Sequence, residues 1–411
     1  MTFSNSDPVD IAFAGLVLHG IYISASAGNA IVKLSSGYNI CVPESLCTPG
    51  AVSVLPEKPA QEPLMQDANL PQLSIISTGG TIASTVDYRT GAVSSKFTAE
   101  DILRSIPELA GIARFRTLQP FNVLSENMNP AMWQELARTI YDEVRAGSKG
   151  ILVTHGTDTM LYSAAAVAFM LDTPVPVIFV GAQRSADRPS SDNAMNAICS
   201  ARAGVSDLGE VVICMHETSS DTVCSLHRAT RVRKNHTSRR DAFRSIGREP
   251  VGSVAYPEGD VTLASDAIRR DARELRLSDR LEPHCGLIQY YPGMNPCVFD
   301  AFCGYAGLVI SGTGLGHVGT DCIPKIAALA AAGTTVVMTS QCQAGVVCDR
   351  VYETGRDLLD AGVIEGGDML PEVALVKLMW VLANVSRPAD VKRMMQTNLK
   401  GELAYDLGRE I

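Results

Sequence analysis

The stretch "GILVTHGTDTMLYSAAAVAFMLDTPVPVIFVGA", residues 150–182, decides the fold. It opens on a strand-like apolar run, GILVTHG, that ends in polar residues. The alanine-rich segment SAAAVAFML then reads as a helix, and PVIFVGA as a second strand. Asp172, Pro174 and Pro176 interrupt the apolar residues, so the stretch reads as helix, break and strand and not as a membrane span. A strand, a helix and a strand in immediate succession form a βαβ unit, which implies parallel strands joined by a crossover helix.

The same rhythm extends on both sides. Upstream lie LSIIST (73–78), the helically spaced AEDILRSIPELA (99–110) and PAMWQELARTIYDEVRAG (130–147). The last is an amphipathic helix with Pro130 near its start and Gly147 past its end. Downstream follow a helix, NAMNAICSARAG (193–204), and a strand, EVVICMHE (210–217). After a charged stretch the alternation resumes with GLIQYYPG, GLVISGTG, IPKIAALAAAG and TTVVMTSQ (286–341). Ahead of all this, IAFAGLVL, NAIVKL and YNICV are short β-like runs separated by Gly, Ser and Asn, followed by prolines 49, 56, 59, 63 and 71. The expected architecture is two-domain α/β with parallel sheets, preceded by a small all-β module. The expected boundaries are a β module at 1–48, a Pro-rich linker at 49–72, a large α/β domain at 73–257, a linker at 258–283 and a smaller α/β domain at 284–411.

Composition narrows the function. The 411 residues are 46% hydrophobic with a formal charge of −9, which argues for a well-packed protein and against a general nucleic-acid coat. The N-terminal residues lack a basic region followed by an apolar one, so no secretory signal is expected. The eleven cysteines are odd in number, form no CxxC pair and often sit in apolar runs. They are read as reduced thiols of a cytoplasmic protein. His216, Cys224 and His227 lie close in sequence without a clean ligand spacing, so no metal site is expected.

In open parallel sheets the chemistry lies at the carboxyl ends of the strands. Four strand ends carry polar clusters: STGGT (77–81), LSEN (124–127), THGTDT (154–159) and SGTGLGH (311–317). In THGTDT, Gly156 permits a tight turn while Thr157 and Asp158 offer a hydroxyl and a carboxylate together. Capping of the following helix competes with a chemical role there, and with one for Thr81. In RVRKNHTSRR (231–240), Lys234 is a candidate base, against the alternative of a solvated basic loop. GLGHVG (314–319) matches GxGxxG, but the next strand lacks the acidic residue that would hold a ribose, so no dinucleotide is expected. The chain has no GxxxxGK[ST] and no GxSxG.

TGGTIAS, THGTDTM and a lysine in the following basic segment together resemble the asparaginase-type amidohydrolases, from about residue 73 onward. KLSSGYNI (33–40), LSENMNP (124–130) and RVRKNHTSRRDAFRS (231–245) extend the likeness to almost the whole chain. They are similar to the glutaminase subunits of archaeal-type glutamyl-tRNA(Gln) amidotransferases. The resemblance implies that Thr81 is a nucleophile candidate, that Thr157 and Asp158 are a second threonine and its acidic partner, and that Lys234 is the base. It implies that Tyr88 is a lid tyrosine and that Ser125 and Glu126 grip the substrate's α-amino and α-carboxylate groups, with Glu126 standing where many bacterial asparaginases have Gln. It further implies glutamine as substrate, no cofactor in this chain, and an E-type partner subunit that uses ATP and Mg and binds most of the Glu-tRNA(Gln). The implied assembly is a homodimer within a heterotetramer, away from membranes. A free cytosolic L-asparaginase is the alternative, and a non-catalytic docking subunit a more distant one.

Overall fold

The computed structural model describes residues 3–4, 7–13, 15–26, 28–34, 39–50, 66–79, 85–86, 93–94, 99–185 and 190–404. The N-terminal strands Pro8–Phe13, Leu16–Ser26, Asn29–Leu34, Asn39–Pro43 and Cys47–Pro49 form one antiparallel sheet. Its inward side chains Val9, Ile11, Tyr22, Ala30 and Val32 make a small core of their own. The run IAFAGLVL, which reads as one β segment, is two strands. The chain reverses at Gly15, whose φ of 77° suits glycine, and Phe13 pairs with Leu16.

The large sheet has the strand order Val261–Leu263, Gly252–Ala255, Val223–Arg228, Val211–His216, Val177–Val180, Ile151–Thr154, Gln72–Ser77, Arg114–Leu118. The five strands from Val211–His216 to Arg114–Leu118 run parallel, as expected. From Val211–His216 outward, successive pairs are antiparallel. The central strands are buried on both faces, which explains why they read as unbroken apolar runs. The helix Met160–Met170 is likewise buried on nearly all sides, so it shows no polar stripe.

The helix Pro130–Arg145 begins as its sequence indicates. The Asn129 side chain accepts a hydrogen bond from the Met132 N–H, and Pro130 occupies the first turn. It ends at Gly147 with φ 100°, and Trp133, Leu136, Ala137, Ile140 and Val144 pack inward. AEDILRSIPELA is shorter as a helix than its spacing suggests: Ala99–Ser105 is helical, and Pro107 starts a separate 3₁₀ turn.

A second sheet, wholly parallel, orders Cys285–Gln289, Gly307–Gly312, Thr335–Ser340 and Ile364–Glu365. One core joins it to the first sheet: Ile76, Val153 and Phe179 belong to the same buried cluster as Val309, Val337, Val373 and Ala374. The helix Pro371–Asn384 supplies much of that joint. Within 258–283, Val261–Leu263 edges the large sheet, and Arg276–Leu277 pairs with Leu171–Asp172. Among the described residues no helix is long and apolar enough to cross a membrane. All eleven cysteines are unpaired.

GLGHVG closes on itself instead of opening a helix. Thr313 and His317 form a β-bridge, and the next helix starts only at Ile323. Below this loop Asp349 is fully buried, and neither carboxylate oxygen has a partner among the described residues. Its backbone N–H donates to Glu365, whose other oxygen accepts from Arg350. Burial, and secondarily Glu365, pushes the Asp349 carboxyl from 3.8 up to about 7. A carboxyl with a raised folded pKa holds a proton that the unfolded chain releases, so stability falls as pH rises from about 4 to 7. The Asp349→Asn variant is therefore expected to gain about 2–4 kcal/mol over the wild type at pH 8 and nothing below pH 4. Urea unfolding across a pH series measures this. A difference that stays constant with pH would overturn it.

Candidate active site

The Gln72–Ser77 and Ile151–Thr154 strands lie side by side, so their carboxyl ends bring TGG and THGTDT together. Thr78 is a structural clasp. Its N–H and its hydroxyl both donate to the Thr154 carbonyl, at 3.0 and 2.9 Å, and its side chain is buried. Gly79 follows with φ 109°, and a Cβ there would meet the Val123 carbonyl at 2.4 Å. The glycine thus lets the segment before Ser125 cross the strand end. Thr81 and Tyr88 lie outside the described residues.

Thr157, Asp158 and Lys234 converge. Lys234 Nζ donates to Thr157 Oγ1 at 2.9 Å and to Asp158 Oδ1 at 2.7 Å. Thr157 is 5% exposed, and the Lys234 side chain is 10% exposed against 70% for Asp158. The lysine therefore reaches a nearly buried hydroxyl while its carboxylate partner keeps contact with solvent. The capping alternative does not describe these residues: the N-cap Thr159 makes no side-chain cap to the helix Met160–Met170 and instead donates to the Ser125 carbonyl at 2.7 Å. Ser125 is thereby drawn against the turn and is buried. Its Cβ lies 2.6 Å from where a Cβ of Gly156 would stand, so only glycine fits between the two segments. Glu126, in the same 3₁₀ turn, is exposed.

Sequence reasoning passed over His155. Its ring is buried beside Phe179, and Nδ1 donates to the Gly156 carbonyl at 2.7 Å, propping the turn that carries Thr157. Burial lowers its pKa to about 4, so it remains neutral at physiological pH. Its place inside THGTDT was the only sequence signal.

Lys234 stands on the strand Val232–Lys234, paired with Phe243–Ser245. Most of the arginines of this stretch have acidic partners within the chain. Arg239 and Arg244 pair with Asp241, Arg240 with Asp221, and Arg228 with Glu210. Arg231 is buried against Asp368. These partners offset much of the segment's charge, while the Arg239 and Arg244 side chains stay 56% and 43% exposed. His216 is engaged by Asn196 and Asp221, and its neighbour Cys224 lies buried beside Asn196. No group of three or more His, Cys, Asp or Glu residues suited to a metal occurs among the described residues.

A hydroxyl, a lysine and a carboxylate thus meet at the carboxyl end of a parallel sheet, the groups that the resemblance to asparaginase-type amidohydrolases implies. Two family models agree: "Asparaginase, N-terminal" matches residues 72–269, and "Glutaminase/Asparaginase C-terminal domain" matches 284–395. The chain belongs to the glutaminase/asparaginase family. Among solved structures it is similar to the thermostable L-asparaginase from Thermococcus kodakarensis (TM-score 0.72, 30% identity, 81% of this chain and 99% of that one). It is also similar to L-asparaginase I from Vibrio cholerae (TM-score 0.70, 28% identity, 82% and 100%). A narrower likeness is to the D-type subunits of glutamyl-tRNA(Gln) amidotransferases. The one from Methanosarcina mazei is 50% identical over 98% of this chain and 99% of its own length. That from Archaeoglobus fulgidus is 51% identical over 96% and 94%.

Proposed function

We propose that this chain is the glutaminase subunit of a glutamyl-tRNA(Gln) amidotransferase. It hydrolyses glutamine and passes the ammonia to an E-type subunit, which uses ATP and Mg to convert Glu-tRNA(Gln) to Gln-tRNA(Gln) and binds most of the tRNA. The chain itself needs no cofactor and works in the cytoplasm as a homodimer within a heterotetramer. The observation that carries the amidase chemistry is the contact of Lys234 Nζ with both Thr157 Oγ1 and Asp158 Oδ1. The amidotransferase setting is supported by relatives that match 98% of the chain, whereas the family models begin only at residue 72, beyond the N-terminal sheet.

In the reaction a threonine hydroxyl attacks the side-chain amide carbon of glutamine. The C–N bond breaks, ammonia leaves, and an ester to the threonine remains; water then cleaves the ester to glutamate and restores the hydroxyl. A threonine hydroxyl is a weak nucleophile, so it must lose its proton to a base as it attacks. Lys234 in its amine form takes the proton from Thr157, the Asp158 carboxylate balances the ammonium that results, and that proton then passes to the departing nitrogen so that it leaves as ammonia. General-base help of this sort is worth about 10²- to 10⁴-fold. Thr81 is the other candidate nucleophile, and Tyr88 is the lid tyrosine that the resemblance implies. Ser125 and Glu126 are the groups for the amino-acid end of glutamine.

The test is to assay the isolated chain and the reconstituted complex on glutamine and asparagine, with and without Glu-tRNA(Gln). Glutaminase activity that rises with partner and misacylated tRNA is expected, because uncoupled hydrolysis wastes ammonia and lid closure can gate it. Vigorous asparagine hydrolysis by the isolated chain, indifferent to both additions, would identify a free asparaginase instead.

A further inference from the structure

Side chains on a β-strand alternate between its two faces, and here the alternation has a consequence for Lys234. Val232 is fully buried in the main core, and Lys234 reaches Thr157 and Asp158. Arg231, Arg233 and Asn235 have the opposite parity, and each is held by a segment of the second domain. Arg231 Nη2 pairs with Asp368 Oδ2 at 2.7 Å, Arg233 Nη2 with Glu372 Oε1 at 2.7 Å, and Asn235 Oδ1 accepts from Gln343 Nε2 at 2.9 Å. Gln343 follows the strand Thr335–Ser340, Asp368 follows Ile364–Glu365, and Glu372 lies in the first turn of the helix Pro371–Asn384.

The Glu372 contact is the discriminating one. Its Oε2 is buried without a partner among the described residues, so Arg233 is the cation that offsets this carboxylate. A buried carboxylate with one strong partner constrains that partner closely. Arg233 adjoins Lys234, so fixing the guanidinium fixes the strand segment that aims the ammonium. Of the hairpin arginines beyond the lysine, Arg239 and Arg244 turn onto Asp241 of their own hairpin and Arg240 onto Asp221, and none makes such a link among the described residues.

We infer that the second domain is a positioning device for the catalytic lysine, with Glu372, through Arg233, and Gln343, through Asn235, as positioning residues on either side of Lys234. This rests on the amidase reading of the site given above. The two residues touch no reacting atom; they determine whether Lys234 stands at hydrogen-bond distance from Thr157. Misplacement of a catalytic group by about 1 Å costs roughly 10²-fold in rate without a matching loss of substrate affinity.

The experiment compares Glu372→Gln, Arg233→Glu, the charge-exchanged Arg233→Glu/Glu372→Arg pair and Gln343→Ala in the full chain, assayed with its partner on glutamine. For Glu372→Gln, kcat is expected to fall about tenfold or more while KM stays within about twofold and the melting temperature stays within a few degrees. The exchanged pair should recover about tenfold over Arg233→Glu alone. Gln343 is exposed, so Gln343→Ala keeps the inference testable even where a Glu372 variant fails to fold, and a smaller fall in kcat at constant KM is expected. Wild-type kcat in both Glu372→Gln and Gln343→Ala would overturn the inference and leave the functional reading standing. A wild-type complex that hydrolyses no amide would overturn the functional reading and this inference with it.

Discussion

Replacing Lys234 by Met is expected to reduce ammonia release by at least about 10³-fold while moving the melting temperature by only a few degrees. The side chain removed is 10% exposed and its partner Asp158 is 70% exposed, so the carboxylate left behind is solvated and not stranded. Thr157→Ala should fall comparably, since it removes the hydroxyl that Lys234 contacts at 2.9 Å. Trapping distinguishes the two threonines. If Thr157 carries the acyl group, Thr157→Ala forms no acyl-enzyme and Thr81→Ala is the variant that still shows one by mass spectrometry. The opposite pattern assigns the nucleophile to Thr81. Turnover retained in Lys234→Met would remove the lysine from the catalytic set.

The largest expected loss of stability lies elsewhere, at Lys377. This side chain is completely buried on the helix Pro371–Asn384, and its Nζ contacts Glu402 Oε1 at 2.6 Å together with the carbonyls of Met395 and Thr397. Glu402 is equally buried and accepts from the backbone N–H groups of Leu399 and Lys400. The segment so held then reaches the start of the hairpin that carries Lys234: Lys400 and Gly401 offer their carbonyls to Thr230 and Arg231. Lys377→Met leaves a buried carboxylate without its cation and should cost about 3–5 kcal/mol, read by denaturant unfolding. Lys377→Met/Glu402→Gln should recover much of that loss, because the penalty belongs to the unpaired charge and the amide keeps an acceptor for the two N–H groups. A double variant no better than the single would show that shape, not charge, sets the stability here.

Much of this protein was legible because its signals are local. The apolar runs around GILVTHG and PVIFVGA, Pro130 and Gly147 bracketing their helix, and the Thr157–Asp158 dipeptide are properties of neighbouring residues. The antiparallel extension of the large sheet was not legible. Strands such as Gly252–Ala255 and Val261–Leu263 are too short to show a period, and their pairing with the sheet makes them strands. The distinction between Thr78 and Thr157 was equally closed to sequence. Both are threonines at strand ends, and only the tertiary contacts separate them: the Thr154 carbonyl makes one a clasp, while Lys234 contacts the hydroxyl of the other.

By itself, then, the sequence determined the alternation of strands and helices, the small β module ahead of it and the residue types of the site, because periodicity and turn chemistry act within a few residues. The tertiary structure decided which of those residues meet. Lys234 lies 77 residues from Thr157, and Arg231 lies 137 from Asp368. An ion pair or hydrogen bond depends on separation in space, and at such distances along the chain that separation is set by the packing of the two sheets into one core.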